Sequence, residues 1–208
     1  MFPFDVILFD VGGVLLTNGW DHRERALAME HFGLDAADFE ARHTLFYPDW
    51  ERGAISGKSY LNGTVFYEPR KFSRREFFSF MLKMSQPLED GALPVLKELV
   101  ASKAHMSGKC LVGALNNEAR ETNEYRFREF GLRRCFDMAL SSCYLGLRKP
   151  DMAIYRRALD ILGRPPERIL FIDDRQENVS GAVSVGMIGI RFTGAESLRN
   201  ALRQLSVL

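Results

Sequence analysis

Three short runs of apolar residues in this chain end abruptly in polar residues. The runs are Phe4–Phe9, Leu111–Leu115 and Ile169–Ile172. Runs this short, without alternation of apolar and polar positions, are typical of strands buried on both faces of a parallel sheet. Two weaker segments, Met138–Leu140 and Met187–Arg191, are further strand candidates. The pattern therefore predicts a parallel β-sheet.

Between these runs the apolar residues recur at helical spacing. The segment Asp90–Lys103 carries its apolar residues on one face, and Asp151–Leu162 does the same directly after Pro150. A third segment, Ser197–Leu205, is predicted to be a closing helix. Strands that alternate with helices predict an α/β fold with a doubly wound, Rossmann-like parallel sheet.

The segment 17–87 breaks this alternation, because it contains no convincing strand and several amphipathic stretches. These stretches are Asp21–Phe32, Ala36–Leu45 and Ser73–Met84. Ser73 and Glu76 have the spacing of a capping box, which favours a helix start. We therefore predict an all-helical cap subdomain at residues 17–87, inserted into a core made of residues 1–16 and 88–208.

Charge and composition narrow the class of partner. The 208 residues include 28 Lys and Arg against 27 Asp and Glu, a formal net charge of +1. A nearly neutral chain offers no basic footprint for nucleic acid or an anionic membrane. A membrane-spanning helix needs about 18 consecutive apolar residues, and no apolar run in this chain is that long. We expect a small-molecule partner, no nucleic acid and no membrane, with a monomer and a homodimer both open.

The cysteine content and the first residues of the chain indicate the cellular compartment in which the protein is expected. The three cysteines have scattered spacing, which fits free thiols better than a disulfide framework or a zinc site. The segment Met1–Asp5 lacks the basic region that leads into a signal sequence. We therefore expect a cytoplasmic protein.

The polar residues that end the three apolar runs are the candidates for chemistry. They are Asp10, the pair Asn116 and Asn117, and the pair Asp173 and Asp174. Ligands of open α/β sheets bind at the carboxyl ends of the strands, so neighbouring strands would bring three carboxylates together there. Their mutual repulsion calls for a cation, and oxygen ligands without His or Cys favour Mg²⁺ over zinc.

Lys149 adds a positive charge to this set. It lies just before a predicted helix, where an anion is also attracted by the helix N-terminus. An aspartate, a metal ion, amide donors and a lysine suit phosphoryl transfer, which mainly requires positioning and neutralisation of charge.

Four motifs in this chain resemble those of the haloacid dehalogenase-like (HAD) hydrolase superfamily. They are Val6–Val14, Ala114–Asn117, Gly146–Asp151 and Ile169–Asn178. Each motif alone is weak, but the four occur in the right order and in the expected structural context across nearly the whole chain. The helical insertion after the first motif is similar to the cap of the phosphatase branch.

The resemblance implies roles for the acidic residues. Asp10 resembles the nucleophile that becomes a phospho-aspartate. Asp174 resembles a direct Mg²⁺ ligand together with Asp10 and the backbone carbonyl of Gly12, while Asp173 is expected to support the metal or a bound water. These roles imply Mg²⁺ as the cofactor.

The resemblance also implies roles for the amides and the lysine. Asn116 stands where the family usually has Ser or Thr, and its amide can still donate to a phosphoryl oxygen. Asn117 resembles a loop position that often faces the substrate. Lys149 is expected to stabilise the transferring phosphoryl group, and Asn178 to brace the loop.

One position departs from the family pattern. Most phosphatases of this family carry a second Asp two residues after the nucleophile as general acid and base, and here that position is Gly12. A well-placed acid contributes about 10²–10⁴ in rate. Asp21 and His22, just after the predicted hinge, are candidate proton donors, and so are water and the substrate.

The leading hypothesis is a Mg²⁺-dependent hydrolase, a phosphatase of a small phosphomonoester such as a sugar phosphate. A haloacid dehalogenase is the first alternative; it also lacks the second Asp but needs no metal, and the adjacent pair Asp173 and Asp174 counts against it. A catalytically weak metal-binding or regulatory member of the fold is the second alternative, which Gly12 and Asn116 favour.

Overall fold

A five-stranded parallel sheet forms the centre of the molecule. The computed structural model describes residues 3–105 and 110–208. The strands are β1 (Val6–Phe9), β2 (Leu111–Ala114), β3 (Met138–Ala139), β4 (Ile169–Asp173) and β5 (Ile188–Arg191). Their order is β3-β2-β1-β4-β5, and every neighbouring pair is parallel. All five predicted strand segments are confirmed, and β1 lies in the middle of the sheet.

Helices connect the strands and fill the segment between β1 and β2. They are α1 (His22–Phe32), α2 (Ala36–Glu51), α3 (Gly57–Thr64), α4 (Arg74–Lys83), α5 (Leu93–His105), α6 (Arg120–Glu129), α7 (Ser142–Leu145), α8 (Met152–Leu162), α9 (Gln176–Ser184) and α10 (Ala195–Gln204). The six predicted helices correspond to α1, α2, α4, α5, α8 and α10. Helix α6 was not predicted, because the face that it buries includes Thr122, Asn123 and Arg126 and so shows no apolar periodicity.

Two apolar layers cover the two faces of the sheet. Ile7 and Phe9 point into the layer that contains residues of α5 and α10. Val6 and Leu8 point into the opposite layer, with residues of α8 and α9. This alternation along β1 follows from the two-residue period of a strand. Helices on both faces of a parallel sheet confirm the doubly wound α/β fold.

The segment between β1 and α5 forms four helices, α1 to α4, and contains no named strand. These helices surround an apolar cluster of their own, in which the rings of Trp50 and Tyr60 stack at 4.2 Å. The two ends of the segment meet, because the Thr17 amide donates to the Gln86 carbonyl at 2.8 Å. The division into a cap at 17–87 and a core stays a prediction.

Helix α2 is longer than predicted, because it continues past Leu45 to Glu51. The predicted end at Leu45 is too early, and the added turn includes Pro48, which lacks the N–H of a helix interior. Burial of Phe39, His43 and Trp50 along one side of α2 outweighs that cost.

In the described part of the chain, no helix is long and apolar enough to cross a membrane. The prediction that Met1–Asp5 does not lead into a signal sequence involves Met1 and Phe2, and these two residues lie outside the described residues.

Candidate active site

Two aspartates meet at the carboxyl ends of the central strands. Asp10 follows β1 directly and Asp173 is the last residue of β4, and the register pairs Phe9 with Ile172 one residue earlier. Both side chains are buried, and the Val11 amide donates to Asp10 Oδ1 at 2.7 Å. The parallel register therefore places these two carboxylates side by side, as predicted for neighbouring strands.

Lys149 lies between these two carboxylates. Its Nζ is 2.9 Å from Asp10 Oδ2 and 2.6 Å from Asp173 Oδ2, and the residue is only 3% exposed. Asn117 fixes the backbone at this point. The Lys149 amide donates to Asn117 Oδ1, and Asn117 Nδ2 donates to the Lys149 carbonyl, both at 2.8 Å. Asn117 therefore positions the lysine through its main chain.

Asp173 has both carboxylate oxygens occupied. Besides Lys149, the Arg175 amide donates to Oδ1 at 2.9 Å, and Asn178 Nδ2 donates to the two oxygens at 3.0 and 3.1 Å. Asp173 therefore orients Lys149 and offers little free capacity of its own. Asn178 lies where a loop-bracing residue was expected.

Asp174 brings a third carboxylate into the group. One carboxylate oxygen of each of Asp10, Asp173 and Asp174 lies within 4.8 Å of the others. Apart from its own backbone amide, no described residue makes a hydrogen bond or ion pair to the Asp174 side chain. Gly13 has φ +71°, and a Cβ there would come within 2.4 Å of Asp174 Oδ2. Only glycine allows the loop after β1 to pass this close to the carboxylate.

The charge of this group favours a bound cation. The ammonium group of Lys149 contacts two of the three carboxylates, and the third, Asp174, has the guanidinium of Arg175 nearby. Burial raises the pKa of Asp10 to about 8; Lys149 opposes that rise and Asp173 adds to it. Burial and the charge of Asp173 also raise the pKa of Asp174. A hard divalent cation among these oxygens would favour the ionised forms, so the residues fit Mg²⁺.

A cavity of about 470 Å³ opens over Asp10 and Lys149. Its lining also includes four other predicted site residues, which are Gly12, Asn117, Asp21 and His22. The opposite wall comes from α1 and α2. The structure therefore brings six of the predicted residues to one partly open, largely polar cleft between the carboxyl ends of the strands and the helical segment.

Asn116 does not line this cavity. Its side chain is buried, with Nδ2 donating to Asn123 Oδ1 at 3.0 Å and Oδ1 accepting from Ser141 Oγ at 2.8 Å. The predicted contact between Asn116 and phosphate stays a prediction; one hydrogen of the amide is used by Asn123.

Asp21 and His22 lie at the start of α1. The Asp21 carboxylate is the N-cap; it accepts from the His22 amide at 2.8 Å and forms a capping box with Glu24. His22 Nδ1 lies 2.8 Å from Arg25 Nη2. Both residues line the cavity and have helix-forming or polar partners, and their role as proton donors stays a prediction.

Arg126 is a site residue that the sequence analysis missed. It is buried, and it donates to Glu118 Oε2 at 2.6 Å, to Ser85 Oγ at 3.0 Å and to the Thr17 carbonyl. A Cβ at Gly12 would lie 3.5 Å from Arg126 Nη1. The guanidinium thus lies beside the position that lacks the usual acid, and it holds both ends of the helical segment. Because the buried face of α6 is largely polar, the sequence shows no apolar periodicity there that could have predicted the position of Arg126.

A second polar cluster covers the cavity from the helical segment, and we call Trp20, Arg25, Glu40, His43 and Tyr60 the roof network. Arg25 binds Glu40 through two contacts, Nε to Oε1 at 2.7 Å and Nη2 to Oε2 at 3.0 Å. Trp20 Nε1 donates to the Tyr60 hydroxyl at 2.9 Å, and that hydroxyl lies 2.7 Å from His43 Nδ1. The network joins residues of α1, α2 and α3.

Comparison with known proteins agrees with this arrangement. A family model for hydrolases, described as haloacid dehalogenase-like hydrolase, matches residues 4–186. Flavin mononucleotide hydrolase 1 of Arabidopsis thaliana is 27% identical over 203 residues, covering 97% of this chain and 78% of its own length. The pyrimidine 5'-nucleotidase YjjG of Escherichia coli is 25% identical over 197 residues, covering 88% of this chain and 84% of its own.

Solved structures share the fold. A HAD family enzyme from Bacteroides thetaiotaomicron, solved in complex with magnesium and inorganic phosphate, superposes with a TM-score of 0.76 at 18% identity, covering 96% of this chain and 100% of that one. Two further curated relatives match over only 20% and 36% of their own lengths.

Proposed function

This chain belongs to the haloacid dehalogenase-like hydrolase family, and on that premise we propose that it is a Mg²⁺-dependent phosphatase of small phosphomonoesters. The observation that carries the proposal is the contact of Lys149 with Asp10 and Asp173, with Asp174 completing the acidic group. The relatives named as a flavin mononucleotide hydrolase and a nucleotidase support a phosphate ester as substrate.

In this proposal Asp10 is the nucleophile. A carboxylate oxygen of Asp10 attacks phosphorus in line, the bond to the leaving oxygen breaks, and an aspartyl phosphate forms. Lys149 neutralises charge on the phosphoryl oxygens while Asp173 keeps the ammonium in place. Water then attacks phosphorus, which releases inorganic phosphate and regenerates the Asp10 carboxylate.

Asp10, Asp174 and the Gly12 carbonyl would hold Mg²⁺, with Asp173 supporting them. The ion would supply charge neutralisation at the phosphoryl oxygens and would keep the nucleophile ionised. The open carboxylate of Asp174 and the raised pKa of Asp10 support this assignment.

We further propose that the segment 17–87 acts as a cap. Its helices α1 and α2 form the wall of the cavity opposite Asp10, so a bound substrate is shielded from bulk water. A cavity of about 470 Å³ suits a small phosphorylated molecule rather than a polymer.

The experiment is phosphate release from sugar phosphates, nucleotides and an aryl phosphate, with Mg²⁺ and with EDTA. We expect Mg²⁺-dependent release that falls by at least about 10³-fold in Asp10→Asn. Asp160→Asn, which changes an exposed aspartate of α8, is the matched control and should keep full activity.

Release that persists in Asp10→Asn or in EDTA would overturn the proposal. Halide release from a haloacid, indifferent to EDTA, would instead support the dehalogenase alternative.

A further inference from the structure

His43 is a buried histidine on the cavity wall, far along the chain from every motif. It is 7% exposed, lies on α2 and lines the same cavity as Asp10. Its ring packs between Phe39, at 5.9 Å between ring centres, and Tyr47, at 4.5 Å. The ring orientation is therefore set by packing rather than by a free rotamer.

The hydrogen bonds around Tyr60 define which ring nitrogen of His43 carries the proton. The Tyr60 hydroxyl accepts the N–H of Trp20 and lies 2.7 Å from His43 Nδ1. If Nδ1 also carried a hydrogen, the hydroxyl would accept two N–H groups and its own hydrogen would have to turn to Thr64, whose hydroxyl already donates to the Tyr60 carbonyl. A Tyr60 O–H that donates to His43 Nδ1 satisfies every group.

The charge state of His43 agrees with this assignment. Burial, assisted by the nearby guanidinium of Arg25 and by His22, lowers the pKa of His43 to about 4, against the opposing carboxylates of Glu40 and Asp21. The ring is therefore neutral near pH 7. With Nδ1 as an acceptor, the single ring proton must be on Nε2.

Nε2 is the part of the ring that remains without a partner. In the described chain, the His43 ring makes one hydrogen bond, through Nδ1. Nε2 is not among the side-chain atoms that are both fully buried and without a hydrogen-bond partner, so it keeps some exposure. Since His43 lines the cavity, its Nε2–H is open to that space.

Glu40 lies three residues before His43, on the same side of α2, and also lines the cavity. Its carboxylate is held by two contacts with Arg25 and keeps 38% of its side chain exposed. A fixed donor and a fixed acceptor thus lie next to each other opposite the phosphoryl site.

We propose that His43, held by Tyr60 as an Nε2–H donor, is a specificity-determining residue that binds an acceptor atom on the leaving group of the substrate. Glu40 takes a neighbouring O–H or N–H of the same group. The substrate is then a phosphomonoester whose alcohol carries an acceptor beside a donor, as adjacent sugar hydroxyls or the amide edge of a pyrimidine do. This inference rests on the proposed function for its substrate class.

The first test reads the ring directly and needs no turnover. Nitrogen-15 NMR of histidine-labelled full-length protein near pH 7 should show a neutral His43 with the proton on Nε2, assigned by its loss in His43→Gln. Tyr60→Phe should release the ring to a mixture of tautomers. The exposed His31 is the matched reference and His31→Gln should leave the His43 signals unchanged. A proton on Nδ1 would overturn the proposal.

The second test identifies what the donor binds. The Nε2 signal should move on addition of ribose 5-phosphate or of uridine 5'-monophosphate, which separates a sugar from a base as the source of the acceptor. A ring with the proton on Nε2 that responds to neither ligand would overturn the contact with the leaving group, whether or not the chain releases phosphate.

Kinetics then separates recognition from folding. His43→Phe should lower kcat/KM for the responsive substrate about tenfold and leave phenyl phosphate, which has no such acceptor, unchanged. His43→Gln keeps an N–H at the place of Nε2 and should retain most of the activity. An equal loss on both substrates would show a structural role instead and would contradict the proposal.

Discussion

The cavity has two walls that are built in different ways. At the sheet edge, Asp10 and Asp173 meet because the parallel strands β1 and β4 end together, and Lys149 reaches both from the loop between α7 and α8. In the roof network the contacts join three helices, as in the bond between Trp20 and Tyr60, 40 residues apart. In the proposed mechanism the sheet therefore places the reacting groups, whereas helix packing places the groups that would face the rest of the substrate.

The two walls also differ in their charge. At the sheet edge three carboxylates lie near the ammonium group of Lys149 and the guanidinium of Arg175, so this wall has more acidic than basic groups. In the roof network Arg25 and Glu40 neutralise each other and His43 is uncharged. Removing one charge should therefore have very different consequences on the two sides.

The largest effect is expected at the sheet edge, for Lys149→Met. The change leaves Asp10 and Asp173 without their ammonium partner and removes a positive charge from the phosphoryl site. We expect kcat/KM to fall by about 10²–10³-fold in saturating Mg²⁺. Lys58→Met, at an exposed position of α3, is the control for loss of a lysine. A loss below tenfold would remove Lys149 from the proposed mechanism.

The next effect tests the junction between the walls, where Arg126 contacts both ends of the helical segment. Arg126→Met leaves the buried Glu118 carboxylate without its partner, and we expect the free energy of unfolding to fall by about 3 kcal/mol. Urea unfolding followed by fluorescence measures the change. Arg128→Met, exposed on the same helix, should stay within about 0.5 kcal/mol; a similar loss in both variants would deny Arg126 this special role.

A smaller effect is expected in the roof network, where the contribution of His43 to stability depends on pH. Since burial lowers the pKa of His43 to about 4, the unfolded chain binds a proton between about pH 6.5 and 4 that the folded chain does not. Stability should therefore fall as the pH is lowered through this window, by at most about 3 kcal/mol from this group. In His43→Gln that part of the slope should disappear; in His31→Gln it should remain, and equal slopes in all three proteins would contradict a buried neutral ring.

The smallest effect is expected for Gly12→Asp. A Cβ at this position would lie 3.0 Å from Asn18 Oδ1 and 3.5 Å from Arg126 Nη1. The guanidinium would favour the ionised carboxylate, so a new acid at this position should not raise turnover on alkyl phosphates. Rates relative to Gly12→Ala, which controls for the added Cβ, measure the effect. A rise of tenfold or more would show that a general acid is the missing element.

The sheet edge could be predicted from the sequence because its residues lie next to strands. Asp10 and Asp173 are each the first polar residue after an apolar run. The parallel register of β1 and β4 makes the two runs end side by side, which brings these residues together. Lys149 was predicted because it precedes a helix with clear apolar spacing. In such places a local pattern and a general rule of sheet architecture are sufficient.

The roof network and Arg126 could not be predicted in the same way. His43 becomes a fixed donor only through Tyr60, which belongs to α3, a helix that the apolar pattern did not reveal. Arg126 depends on contacts with Thr17 and Ser85, more than 40 residues away, and lies on a helix whose buried face is largely polar. The hydrogen-bond partners of His43 and Arg126 are determined by tertiary packing, which the local sequence pattern does not show.

The central claim, that Asp10 takes the phosphoryl group before water does, is tested most directly by the stereochemical course at phosphorus. An isotopically chiral phosphomonoester that the native chain hydrolyses in the presence of Mg²⁺ would be converted to inorganic phosphate in isotopically labelled water. Transfer through Asp10 involves two in-line displacements, so we expect net retention of configuration. Net inversion would mean that water attacks the substrate directly, and it would contradict the role of Asp10 as nucleophile.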